Sequence, residues 1–318
     1  LAACQDAGAP LQPDGLQNAG ADAAARGGGP PSGTPGNASA KCDVTVPDDE
    51  STIQGGVDAA AAGATVCVEG SEGPYREQVV INKDLTLRGL DGPTIETPDD
   101  PDDFIIPESG PTWEPIVFAY GGTASGVNVS GSGTVEVTVR GFTVDGRSIQ
   151  PNVRRKVGIF YRNAHGTVEG NTVENMGVGG KETMGILAYG DSHVAITGNT
   201  VSDYERGGIG ANGDGGAHPS PQVRIVGNDV TGSTGIGEAW GPNGIQVGYG
   251  ASGQIRNNVV QDNRYSESTA TASCVLVFES DDVRIQGNEL TNCDAAVGVG
   301  TVGFLRASAD RKSTRLNS

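Results

Sequence analysis

The sequence predicts an all-β solenoid of short stacked strands, and three observations predict it. Glycine supplies 51 of 318 residues and aromatics only 5%, while the apolar remainder is mainly Val, Ile and Ala, a composition suited to short strands between many tight turns. Beyond Arg140 the chain repeats itself: Gly170-Asn-Thr-Val173, Gly198-Asn-Thr-Val201, Gly227-Asn228 with Val230, Asn257-Asn-Val-Val260 and Gly287-Asn-Glu-Leu290 recur every 28 to 30 residues, the spacing of coils that bury their apolar sides only against neighbouring coils. Two places before each of these tetrads stands an aliphatic residue (Val168, Ile196, Ile225, Ile255, Ile285) among mostly polar neighbours such as Thr167, Glu169, Arg224, Arg284 and Gln286, the alternation of a half-buried strand.

Taken in chain order, residues 5–41 are Ala, Gly, Pro, Gln, Asp and Ser with almost no large apolar side chain, too little to offset the entropy of folding, and they read as a disordered tether. From Cys42 the texture changes to strand, short helix, strand: Val44-Thr-Val46, then Ile53 to Ala62, then Thr65-Val-Cys-Val68. Ile53, Val57 and Ala60 share one helical face, so this helix is expected to lid the open end of the stack. In the next strand Leu85 and Leu87 alternate with Thr86 and Arg88. In the repeated body, Asn171, Asn199, Asn228, Asn258 and Asn288 fall one above another at a turn, where Asn tolerates a left-handed backbone and each amide can bond the next rung. A second repeated strand runs through Gly158-Ile-Phe-Tyr161, Gly185-Ile-Leu-Ala188, Gly208-Ile-Gly-Ala211, Gly244-Ile-Gln-Val247 and Cys274-Val-Leu-Val277, unevenly spaced because loops at 97–115, 146–156, 211–222, 232–243 and 262–272 intervene. Residues 306–318 abandon the pattern and turn basic, so the reading divides the chain into 1–41, a folded body at 42–305 and a tail outside the fold.

The segment from Gly73 to Gly89, with the helix and strand before it, resembles the opening coil of extracellular right-handed β-helix proteins. The likeness covers about 43–305 and is to the pectin-lyase-like superfamily, nearest its copper-binding NosD-type and general β-helix-repeat branches. It implies a right-handed parallel β-helix of about six to eight coils with an N-terminal capping helix, a rod of roughly 30 to 40 Å at ~4.8 Å per rung. It also implies a polysaccharide lyase, hydrolase, epimerase or esterase, or a scaffold without catalysis; a fold does not choose among these. The Asn-Thr-Asp and Gly-His-Gly signatures of polygalacturonases and the Asp-Pro-His pattern of alginate epimerases are missing. Copper binding would need soft ligands, and the chain has only two Met, at 176 and 184. Leu1-Ala-Ala-Cys4 resembles the lipobox of bacterial lipoproteins, in which the cysteine is diacylated; this implies a lipid anchor on Cys4 and an extracytoplasmic place, periplasmic or cell-surface. Of the three connectivities open to the remaining cysteines, proximity selects Cys42 with Cys67 and Cys274 with Cys293, as suits an oxidising compartment, the alternative being four buried thiols.

A net charge of −18 with a pI near 4.4 repels a phosphate backbone and argues against nucleic acid as a partner. It also disfavours anionic polysaccharides and lipids unless Lys and Arg cluster on one face. Ionisable groups concentrate at Tyr204-Glu205-Arg206 and Asn212-Gly-Asp214-Gly-Gly-Ala-His218, where Asp214 or Glu205 could bind Ca²⁺ or act as a base with His218 or Arg206 as partner; a solvated glycine-rich loop is the bland alternative. His165 and His193, each five residues before a tetrad, should stack on adjacent rungs, as a metal site or as a polar ladder continued by Gln222, Ser252 and Asp282; no metal is assigned to them. Outward positions of the second strand include Arg162, Tyr189, Asn212, Gln246 and Phe278, with Trp240 and Tyr249 close in sequence, a polar stripe with rings that could stack on sugars. The leading expectation is a monomeric, lipid-anchored protein that binds polysaccharide, with a carbohydrate-active lyase or hydrolase and a structural surface scaffold as alternatives.

Overall fold

The computed structural model describes residues 41–99, 113–125, 128–130, 134–149, 155–177, 182–213, 219–232, 241–265, 271–301, 304–308 and 314–315. The tether, Cys4, Asp214, His218 and Trp240 lie outside them.

Three parallel sheets wrap one core, each coil giving one strand to each sheet. A representative coil runs Ala164–Glu169 on the first face, Thr172–Glu174 on the second and Glu182–Tyr189 on the third. Eight such coils stack, from Ala64–Glu69 to Ala295–Thr301, at the top of the expected range. The aliphatic residues before the tetrads stack in register, Val168 on Ile196 on Ile225 on Ile255 on Ile285, and the first four are fully enclosed. The sequence shows two strands per period where the structure has three. The residues after each ladder Asn, for example Thr200–Ser202 and Asp229–Thr231, form the second face, and three residues are too few to display a periodicity.

The asparagine ladder forms, with one correction. Asn171, Asn199, Asn228, Asn258 and Asn288 are almost wholly buried. Each from Asn199 onward accepts, through Oδ1, the backbone N–H and side-chain amide of the Asn one coil earlier at 2.8–3.1 Å. Their Nδ2 groups donate to carbonyls of the preceding coil. The left-handed residue is the one before: Gly170, Gly198, Gly227 and Gly287 have φ of +60 to +68°, and Asn257 takes φ +53° in the same place. The ladder Asn serves by its amide, and the turn needs its neighbour's tolerance of positive φ.

The third face packs tightly against the second. Gly158, Gly185, Gly208 and Gly244 form a column in which an added Cβ would sit 2.2–2.5 Å from the valine methyls Val173, Val201, Val230 and Val260, and 2.7 Å from a carbonyl of the next coil. The next position in that column is Cys274, which bridges to Cys293.

The stack opens on Ile53–Ala59, whose Ile53 and Val57, with Ala60 just beyond, are enclosed as expected of a lid. Thr52 Oγ1 accepts the Gly55 N–H, and the Glu77 carboxylate accepts those of Ile53 and Gln54 at 2.8 Å. The Gln54 side chain accepts from Val80 N–H and donates to Val80 O, covering the first strand of the third face as another strand would. The Cys42–Cys67 disulfide ties Val44–Val46 to this end. At the other end Phe304–Ser308 and Thr314–Arg315 run antiparallel to strands of the last coil. No helix of the described residues is long and apolar enough to cross a membrane.

Candidate functional site

Long connections flank the third face. Its strands Trp113–Tyr120, Arg155–Arg162, Asn243–Gly248 and Ser273–Phe278 each follow a long segment from the second face, and another long segment leaves after Gly207–Asn212. In each strand two positions point inward, Ile159 and Tyr161 in the second of these, while Phe160 and Arg162 point out.

Successive outward residues form two columns. One runs Phe118, Phe160, Leu187, Gly210, Gln246, Leu276; the other runs Tyr120, Arg162, Tyr189, Asn212, Gly248, Phe278. Arg162, Tyr189 and Asn212 thus share one column, whereas Gln246 belongs to the adjoining column and reaches back, its Nε2 donating to Asn212 Oδ1 at 2.9 Å. Tyr249 sits in the turn after its strand, at φ +56°, with its ring edge-on to Phe278 at 5.2 Å. Beside the polar positions an aromatic cluster covers the second to fourth coils. Phe118 and Phe160 stack at 5.4 Å, and Trp113 and Tyr189 lie 5.6 and 6.4 Å from Phe160. The Arg155 guanidinium lies 4.8 Å over Trp113 and that of Arg162 lies 5.3 Å over Tyr189. Phe118, Phe160 and Leu187 are fully enclosed, while Trp113, Tyr189 and Asn212 are half-buried, so these three are the residues of the cluster that a ligand can touch.

Where these strands begin, charges are buried. Arg155 pairs with Glu182, which is 2% exposed. Lys156, fully enclosed, donates from Nζ to Gly146 O at 2.8 Å and Ile149 O at 2.6 Å. Burial pulls its pKa down to about 8 against the opposing pull of Glu114, Asp145 and Glu205. Glu205 is 2% exposed, its N–H donating to Thr183 Oγ1, and Arg206 donates to Gly241 O. Glu205 and Arg206 therefore sit in a buried ionic layer with Lys156, Arg155, Glu182 and Glu114, none of which the sequence reading singled out. A signal was available: charged residues recur two or three places before the column glycines Gly158, Gly185 and Gly208.

His165 and His193 stack on the first face with ring centroids 4.6 Å apart, and the His193 N–H donates to His165 Nδ1. Gln222 and Ser252 continue that column. Burial first, and the charge of His193 second, hold the His165 pKa below the ordinary value. Among the described residues no group of three or more His, Cys, Asp or Glu is placed to hold a metal ion. Met176 and Met184 are buried in packing.

The family model described as a right-handed β-helix region matches residues 125–308. Among solved structures, the A-module of the mannuronan C-5 epimerase AlgE4 of Azotobacter vinelandii is 18% identical over 79% of this chain and 70% of its own, with a TM-score of 0.51, a likeness of fold. ORF18 of Geobacillus virus E2 is 10% identical over 77% of this chain and 55% of its own, with a TM-score of 0.36. No curated protein matches the chain.

Proposed function

The chain belongs to the right-handed β-helix family, and on that premise we propose that it is an extracytoplasmic protein, held to a membrane by lipid on Cys4, that binds a polysaccharide along the outward surface of its third sheet. The observation that carries this reading is the half-buried Tyr189 ring, overlain by the Arg162 guanidinium, with the half-buried Asn212 amide level with it on the next coil. An aromatic face with hydrogen-bonding groups at its edge is the pairing that a sugar ring calls for, since its C–H face stacks and its hydroxyls need partners. The polymeric substrate named for the Azotobacter neighbour supports the ligand class, and the two disulfides support an oxidising compartment.

A second reading, a carbohydrate-active lyase or hydrolase working through Glu205, Arg206, Asp214 and His218 with calcium as a possible cofactor, is favoured by one observation. Lys156, whose pKa burial pulls down to about 8 against the opposing charges of Glu114, Asp145 and Glu205, shares its buried layer with Glu205 and Arg206, and such shifts concentrate at functional sites.

Full-length protein applied to a glycan array with and without calcium, followed by mass analysis of bound glycans, separates the readings. Binding without products, weakened about tenfold by Tyr189→Ala at unchanged thermal stability, supports the binding face. Unsaturated or shortened products support the enzyme. Binding unaffected by Tyr189→Ala sinks the third-face assignment.

A further inference from the structure

The first face carries a feature that the third-face reading does not use. Its last three strands, Gln222–Val226, Ser252–Arg256 and Val283–Gln286, contain three arginines and no acidic residue, in a chain of net charge −18. Register sets their spacing. Arg224, Gln254 and Arg284 form one column, and Arg256 stands in the neighbouring column on the middle coil. Arg224 and Arg284 are therefore two coils, or about 10 Å, apart, with Arg256 between and beside them. Arg224 and Arg284 are exposed and Arg256 half-buried. Among the described residues none of the three has a carboxylate within salt-bridge distance, and the enclosed Nε of Arg256 has no hydrogen-bond partner. Arginines gathered on one sheet of an acidic protein, with no carboxylate partner among the described residues, are out of keeping with a merely solvating surface, where both signs are interspersed.

We propose that this strip is a second ligand site, for an acidic polysaccharide, and that carboxylate or sulfate groups along one chain engage Arg224, Arg256 and Arg284 in turn. The guanidinium fork matches the oxyanion geometry of such groups. Gln254, exposed between Arg224 and Arg284, and Gln222, exposed beside Arg224 in the next column, supply the donors and acceptors that sugar hydroxyls need. The surroundings select a thin polymer over a broad anionic surface. Asp229 and Glu289 are exposed along one flank of the strip and Asp282 along the other, so a bilayer or a nucleic-acid duplex would press its own charge against theirs. A single chain running across these three strands, from one coil to the next, passes between the flanking carboxylates. The site is on a different sheet from Tyr189 and does not depend on the third-face reading.

The test is titration of full-length protein with sodium alginate, with uncharged dextran, and with phosphatidylcholine vesicles doped with phosphatidylglycerol, at low and high salt. The triple variant Arg224→Gln, Arg256→Gln, Arg284→Gln is compared with a charge-matched control, Lys41→Gln, Arg76→Gln, Arg264→Gln, after circular dichroism has shown both to be folded. Wild type should bind alginate at low salt and lose most of that binding at high salt, because exposed charges are screened. The strip variant should bind about tenfold or more weakly, while the control matches wild type. Absence of alginate binding by wild type, an equal loss in both variants, or a loss in Tyr189→Ala with none in the strip variant would each overturn the proposal. Vesicle binding stronger than alginate binding and lost in the strip variant would overturn it in favour of a membrane.

Discussion

Lys156 shows how one residue can be invisible in the sequence and consequential in the fold. A lysine beside an arginine at 155 reads as surface charge, yet its ammonium is enclosed and bonded to the carbonyls of Gly146 and Ile149. That contact fastens the turn leaving the second face to the strand entering the third. Its pKa, pulled down from the model-peptide 10.5 to about 8, makes a signed prediction. Between those values the unfolded chain holds more protons than the folded one, so this group's contribution to stability rises with pH across the window; below it, both states are protonated and the burial penalty is constant. Wild type should gain about 2 kcal/mol from this group between pH 8 and 10, and Lys156→Met should show no such slope in urea unfolding across that range. Tyr161 and Tyr204, whose pKa values burial raises, add an opposing slope only above about pH 10, where unfolded tyrosine ionises. An identical pH dependence in the variant would show that Lys156 does not titrate there.

The ladder belongs to the scale of the element, since each of its interior amides serves two coils. Asn228 accepts from the backbone and side chain of Asn199 and donates to Ile196 O and Asn258 Oδ1, at 2% exposure. Asn228→Ala leaves the Asn199 N–H and the Asn258 side-chain acceptor short of partners in an enclosed turn, and should cost about 3 kcal/mol in urea unfolding. A loss under 1 kcal/mol would mean that the ladder adds little beyond the backbone pairing. This element was largely legible: the tetrads, their period and the stacking of their asparagines all follow from the sequence. The left-handed residue was misplaced because Gly and Asn both tolerate positive φ, and the order within Gly-Asn does not say which one adopts it. Asn257-Asn258 separates the roles, the first residue turning and the second bonding. The second face was missed because Thr-Val-Glu or Asp-Val-Thr is too short to show a period. The aromatic cluster was missed because Phe118, Phe160 and Tyr189 are far apart in sequence and meet only through the register of the third face. The arginine strip was hidden by net charge, which sums over all faces at once.

At the scale of the whole molecule, the fold is a line of coils in which each meets only its neighbours, so its two ends are where it can open. The disulfides stand near those ends, Cys42–Cys67 across 25 residues and Cys274–Cys293 across 19. Each removes loop entropy from the unfolded chain worth about 3 kcal/mol. In a two-state globule that stabilisation would be spread over every residue. In a solenoid a local constraint acts mainly on the coils it touches, because stability is a sum of units and nearest-neighbour terms. Replacing Cys42 and Cys67 by Ala should therefore release amide protection in Val44–Val46, in the helix Ile53–Ala59 and in Ala64–Glu69, with the central coils between Arg155 and Asn212 exchanging as in wild type. The helix is the part most exposed to this loss, since it rests on the edge of the first coil and is fastened through Glu77 and Gln54. Hydrogen exchange resolved by segment checks it. Protection lost in step across the central coils would show instead that the eight coils open as one cooperative unit, and that the terminal disulfide stabilises the candidate binding faces along with the lid.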